Sequence, residues 1–260
     1  MSTLESSKIN QLLASQPKGI VLLSSWLTEN GYSPELQKRY RKSNWLTSIG
    51  TGAMIRAGDQ VGYLGAIYAL QKQAGLSIHP GAKNALLLQG KGHYLEMGRS
   101  KVHLFGGKGE ALPAWFKANH WDVPLDYHAT SFLPVDSGLT KYETNNFSID
   151  ISGPVRAMME CLYLAPSNFD LVESYQLMEG LNALRPDQVQ LLLESCNSVK
   201  VKRLFLYMAE KAGHHWFSKL NVNNIDLGTG KRSIVKNGVY ISKYEITVPR
   251  ALEINEKPEL

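Results

Sequence analysis

Apolar residues recur along the first sixty positions at helical spacing, and three short helices follow from them. Ile9, Leu12 and Leu13 share one side of the segment 4–14. After a Gln-Pro-Lys-Gly turn, Ile20, Leu23, Trp26 and Leu27 mark a second helix, which Asn30-Gly31 ends. Ser33-Pro34-Glu35 opens a third over residues 33–44: serine suits the N-cap, proline the first helical position, and glutamate complements the helix dipole. Two helices joined by a tight turn predict a helix-turn-helix. The period then changes. Leu46–Ile49 and Met54–Ala57 flank Gly50-Thr51-Gly52, as strands flank a hairpin tip. Three helices followed by a hairpin is the winged-helix order.

Beyond the hairpin, a helix is predicted from Asp59, with Val61, Leu64, Ile67 and Tyr68 as its stripe, and His79-Pro80-Gly81 breaks the pattern. A short apolar stretch, Ala82–Leu88, precedes Gly90-Lys91-Gly92, where a domain boundary is placed. From Tyr94 the chain reads as strands: Tyr94–Met97 and Val102–Phe105 flank a turn, and Phe147, Ile149 and Ile151 alternate with polar residues. A helical block follows, with helices after Ser152-Gly153-Pro154, over Phe169–Leu181, over Asp187–Ser195, and around Val201, Leu204, Phe205 and Met208. Asn237-Gly238 between Ile234-Val235 and Val239–Ile241 predicts a closing hairpin. The expected fold class is α+β: a winged helix-turn-helix over residues 1–92, then a mixed α/β domain over 93–260 with hairpins and a helical block.

Charge sharpens this picture. The formal net charge is +5. Residues 1–91 hold ten bases against four acids, and the remainder 18 against 19, so the excess sits in the first third. A localised excess suits a polyanion partner. On a helical wheel, Leu36 and Tyr40 form an inner stripe, while Lys38, Arg39, Arg41 and Lys42 spread over the opposite arc. Such a helix can neutralise phosphates and read guanine edges. An ordinary solvated basic helix is the alternative; the flanking turn and hairpin favour DNA. Candidate DNA-binding residues are therefore Lys38, Arg39, Arg41, Lys42 and Ser43, with Thr51 and Arg56 from the wing and Ser48 behind them.

Tests for other chemistry give no site. Leu227–Ser233, LGTGKRS, faintly resembles a phosphate loop, but its glycine spacing is wrong for one. Adjacent His214 and His215 point different ways on regular structure and lack a third ligand, so no metal is expected. Cys161 and Cys196 read as core residues, and Arg156 as a structural contact. No catalytic motif, cofactor site, spanning segment or signal peptide is visible, which points to a cytoplasmic protein that is not an enzyme.

Nearly the whole chain, from about residue 5 to 251, resembles the AbiEi family of antitoxins. The resemblance is carried by LLASQPKGIVLLSSWLTENGYSPELQKRYRKSNWLTSIGTGAMIRAGDQVGY, then ISGPVRAMMECL, KVKRLFLYMAE and HHWFSKL, and most specifically by IDLGTGKRSIVKNGVYISKYEITVPR. It implies an antitoxin of a two-gene system tied to abortive phage infection. The winged helix would bind double-stranded promoter DNA of its own operon and repress it. The C-terminal domain would counter an AbiEii-like nucleotidyltransferase toxin, with or without physical contact. Within the resembling segments Arg203, Lys231, Arg232 and Lys236 are the basic points nominated for that antitoxin surface. The alternative function is a stand-alone transcription regulator whose C-terminal domain senses a ligand or partner.

Overall fold

The computed structural model describes residues 7–91 and 101–253. In chain order the first elements are α1 (Lys8–Ser15), β1 (Leu22–Leu23), α2 (Ser24–Glu29), α3 (Pro34–Lys42), β2 (Leu46–Gly50), β3 (Ala53–Arg56) and α4 (Tyr63–Lys72). They are followed by β4 (His79–Pro80), α5 (Ala82–Leu88), β5 (Val102–Gly107), α6 (Ala114–Ala118), β6 (Leu125–Thr130), β7 (Leu139–Glu143) and β8 (Ser148–Ser152). The helical block is α7 (Pro154–Leu164), α8 (Leu171–Glu179), α9 (Pro186–Ser195) and α10 (Val199–Lys211). Three short strands close the chain, β9 (Arg232–Ser233), β10 (Val239–Ile241) and β11 (Ile246–Val248).

The elements assemble into two compact units. Among the described residues, the first combines 7–79, 101–129 and 141–150; the second combines 80–91, 130–140 and 151–253. This differs from a single cut near residue 92. A glycine-rich stretch marks a chain turn, but compactness depends on which apolar faces meet. Helix α5, with Ala82, Ala85 and Leu86 buried, packs on α7 of the second unit. A fragment ending at residue 92 carries that helix without its partner.

In the first unit, Ile9, Leu12, Ile20, Leu22, Leu27, Tyr40, Leu46 and Met54 form one cluster, with Leu13, Trp26 and Leu36 against it. The expected stripe of Leu36 and Tyr40 thus faces the core. The three-stranded sheet runs β1-β3-β2, all antiparallel, with Leu22 opposite Met54 and Leu46 opposite Arg56. This is the arrangement of a winged helix-turn-helix. The helix predicted from Asp59 begins later, at Tyr63. The Asp59 carboxylate instead accepts the Gly19 N–H at 2.8 Å, which ties it to the turn after α1.

In the second unit α7 lies at the centre, packed by α5, α8, α9 and α10. It is buried all round, including Arg156 and Glu160. Arg156 Nε lies 2.9 Å from Glu160 Oε1, and Glu160 Oε2 accepts the Ala82 N–H at 2.9 Å and the Ser152 hydroxyl at 2.7 Å. The Arg156 guanidinium also donates to the Pro134 and Ser137 carbonyls at 2.7 and 2.6 Å. The buried pair is thereby fully hydrogen-bonded, the condition under which charges survive in a core.

Two strand expectations change. The partner expected for Val102–Phe105, Tyr94–Met97, lies outside the described residues; β5 joins β4 and β6 in one sheet. The closing hairpin across Asn237-Gly238 is not formed. β10 pairs antiparallel with β11, across a turn in which Glu245 takes φ +50°, and β9 runs parallel to β11. Gly238 serves a close approach instead: a Cβ there would lie 2.3 Å from the Val248 carbonyl oxygen. Only glycine lets the chain pass the last strand at that distance.

Candidate nucleic-acid interface

Helix α3 is fixed at both ends by its own sequence. The Ser33 side chain accepts the Leu36 N–H, and Pro34 occupies the first turn. At the other end Asn44 adopts φ +56°, the Asn44 N–H donates to Arg41 and the Trp45 N–H donates to Tyr40. That pair of bonds is a Schellman cap, with asparagine in the position glycine usually holds. Two residues here were not singled out from sequence. Trp45, directly after the cap, is exposed. Gln37 is 1% exposed and holds α3 against α2. Its Oε1 accepts the Ser24 hydroxyl at 2.6 Å; its amide nitrogen lies 3.1 Å from the Ser24 carbonyl, 3.0 Å from Thr28 Oγ1 and 2.8 Å from the Tyr32 carbonyl. A polar residue on the wheel between charged neighbours gives no sign that it faces inward. Gln37→Ala is expected to lower stability by about 1–3 kcal/mol, because it strips partners from buried groups. Urea unfolding measures this.

The opposite face carries Lys38, Arg39 and Lys42 exposed and Arg41 half-buried, with Ser43 exposed after them. None of the four cations makes an ion pair with any described residue. Four cations without a close ion pair on one helix face form a local positive field. Glu35, in the first turn, is held below the usual carboxylate range by a backbone hydrogen bond and by Ser33.

The wing stands beside this helix. Its tip, Gly50-Thr51-Gly52, follows a register shift between Ser48 and Gly50, and Gly52 accepts the Ser24 N–H at 2.8 Å. Arg41, Ser48, Thr51 and Ser24 line one cleft of about 260 Å³, so the end of α3 and the wing tip present polar groups to a common space. Helix α6 packs against the wing: a Cβ on Gly50 would sit 2.9 Å from Trp115 Cβ, and the Asn119 amide donates to the Ile49 carbonyl at 2.7 Å. The wing is therefore braced by α6. Arg56 departs from expectation. It lies at the base of the wing, opposite Leu46, and its guanidinium donates to the carbonyls of Leu13, at 2.7 Å, and Gln16. It satisfies carbonyls at the end of α1 that the helix cannot pair, and it is not a free cation.

The four basic points nominated in the second unit also separate. Lys231, Arg232 and Lys236 are exposed, with the Lys231 ammonium 5.0 Å above the Tyr240 ring. Arg203 is not on the surface; it is 2% exposed. Its guanidinium donates to the carbonyls of Leu227, Gly228, Gly230 and Glu245 and pairs with the Glu245 carboxylate at 3.1 Å. The correction follows from the helix wheel: α10 is buried from Val201 to Ala209, and a long side chain inside it must find acceptors. The same bonds dispose of a phosphate loop at 227–233. A phosphate cradle turns N–H groups inward, whereas this loop turns carbonyls toward a cation.

The remaining candidates have structural surroundings. His214 Nε2 lies 2.7 Å from the Met178 carbonyl, and its ring stacks on Trp216 at 5.1 Å. Burial pushes the Cys161 thiol well above its ordinary pKa and the Cys196 thiol up as well, which disfavours the nucleophilic thiolate.

Two family descriptions match the chain in tandem. Residues 5–97 match the N-terminal domain of the AbiEi antitoxin, a transcriptional regulator. Residues 99–249 match the AbiEi antitoxin itself, a transcriptional regulator of a type IV toxin–antitoxin system. The chain belongs to the AbiEi antitoxin family. Among curated proteins none matches this AbiEi chain. The crystal structure of the RV2827C protein from Mycobacterium tuberculosis is similar at a TM-score of 0.56, over 92% of this chain and 88% of that one, with 13% identity. At that identity the likeness is one of fold. The N-terminal AbiEi match takes in α3, the wing and every candidate DNA-binding residue; the second match takes in Lys231, Arg232 and Lys236. No helix among the described residues is long and apolar enough to cross a membrane.

Proposed function

We propose that this AbiEi protein represses its own operon by seating α3 in a groove of double-stranded promoter DNA, with the wing tip on the adjoining backbone. Lys38, Arg39, Arg41, Lys42 and Ser43 provide the helix contacts and Thr51 the wing contact. The observation that carries the reading is the unpaired state of the four cations on the outward face, next to a cleft that Arg41 shares with Thr51. Phosphates supply the missing counter-charge, and their condensed ions are released on binding. Arg41 is suited to a base edge, being half-buried and so restricted in its rotamers.

The second unit counteracts the toxin of the pair, an AbiEii-like nucleotidyltransferase, with Lys231, Arg232 and Lys236 on the surface that does so. The protein acts in the cytoplasm and without catalysis of its own. Footprinting the full chain on the DNA upstream of its operon tests the first half; protection of that segment is expected, and protection equal to that of random duplex would refute it. Co-expression with the neighbouring toxin tests the second. A Lys231→Glu, Arg232→Glu, Lys236→Glu variant is expected to lose rescue while still protecting the promoter, and full rescue would remove these residues from the role.

A further inference from the structure

The first unit holds a second cluster of chemistry-bearing side chains, on the neighbouring strands β5 and β6. Asp126 and His128 are two apart on β6 and therefore share a face of the sheet. His103 stands on β5 and meets them from the next strand: His103 Nδ1 is 3.0 Å from His128 Nε2, and His128 Nε2 is 3.8 Å from Asp126 Oδ2. One ligand atom from each of the three lies within 4.8 Å of the other two. We infer that His103, Asp126 and His128 form a binding site for one divalent first-row transition-metal ion of the zinc class.

The geometry and the donor set agree. Metal–ligand bonds of about 2.0–2.2 Å in a tetrahedral site put neighbouring donor atoms about 3.3 Å apart. The His103–His128 and His128–Asp126 separations fall on either side of that value, and the third donor pair lies within 4.8 Å, so side-chain rotation can close the site. Two imidazoles with one carboxylate suit zinc, cobalt or nickel and not calcium or magnesium, which prefer all-oxygen shells. With three protein ligands the fourth position belongs to water. His103 is buried, which holds its ring in one place on the sheet face. Phe105, whose ring centroid lies 5.1 Å from that of His128, limits solvent on one side. Lys101 opposes the cation: its ammonium is 3.5 Å from Asp126 Oδ2. Its side chain is 55% exposed and can turn to solvent when a metal takes the carboxylate. The cluster has no linear signature, because its ligands come from two strands some 25 residues apart.

The full chain, freed of metal with a chelator and titrated with Zn²⁺ against a chromophoric indicator, is expected to take up one ion. Co²⁺ should give the visible absorption of a tetrahedral nitrogen–oxygen site. His128→Gln and Asp126→Asn, at partly exposed positions, should each weaken binding by about 10-fold or more. His103→Gln should do the same, and circular dichroism checks that it folds. Lys101→Met should tighten binding several-fold, a result that adventitious binding to surface histidines does not produce. His215→Gln should leave it unchanged. Absence of uptake by the wild-type chain overturns the inference, as does uptake that survives His128→Gln with Asp126→Asn or disappears with His215→Gln.

Discussion

Arg39→Ala with Arg41→Ala is expected to weaken binding to the promoter by about 100-fold or more, with no loss of thermal stability. The magnitude follows from two charged hydrogen-bond donors to phosphate or guanine, each contributing about 1.5–3 kcal/mol. The absence of a folding penalty follows from their surroundings, since neither arginine pairs with an acid and Arg39 is exposed. Fluorescence anisotropy over a range of salt gives a second readout. Each lost phosphate contact should reduce the slope of log affinity against log salt by about 1, so the slope is expected to fall by at least that much. Equal affinity and slope in variant and wild type would show that α3 does not meet DNA. A changed melting temperature would show that the cations have a structural task.

Glu160→Leu is expected to destabilise the protein by about 3–5 kcal/mol, the largest stability effect at any single position discussed. Removing one partner of a buried pair leaves the other charged and unsolvated. Here the survivor is Arg156, 3% exposed, and the Ala82 N–H and the Ser152 hydroxyl lose their acceptor too. Adding Arg156→Met should recover much of the loss, because it removes the stranded charge while filling its volume. Urea denaturation of the two variants and the wild type measures both effects. Should Glu160→Leu alone cost less than about 1 kcal/mol, the pair is not the anchor that its hydrogen bonds describe.

Local signals carried far in the first unit. Ser33, Pro34 and the Leu36–Tyr40 stripe specified a capped helix and its inward face, and the glycine tip specified the wing. Each depends on neighbours within a few residues, so the sequence displays it directly. Gln37 escaped because its four contacts lie on α2 and the turn after it; an inward glutamine and an outward one look alike in one dimension. Arg56 was misread for the same reason, since the carbonyls it serves belong to α1, some 40 residues away. Arg203 shows the limit most clearly. Its neighbours Val201, Leu204 and Phe205 defined an amphipathic helix, and a charged residue beside them reads as solvent-facing. Burial of α10 on all sides turned it inward, and a loop of carbonyls made that position tolerable.

By itself the sequence determined the family, the order of elements in the winged helix, and the basic arc from Lys38 to Lys42. The family rests on the resemblance of long segments, and the other two on short-range periodicity, capping and composition. Tertiary structure decided which arginines are free and which are bound, how the last strands pair around Gly238, and the meeting of His103 with Asp126 and His128. Such outcomes depend on faces brought together from distant parts of the chain. A buried polar group takes the partner that folding places beside it, and sequence distance carries no record of that choice.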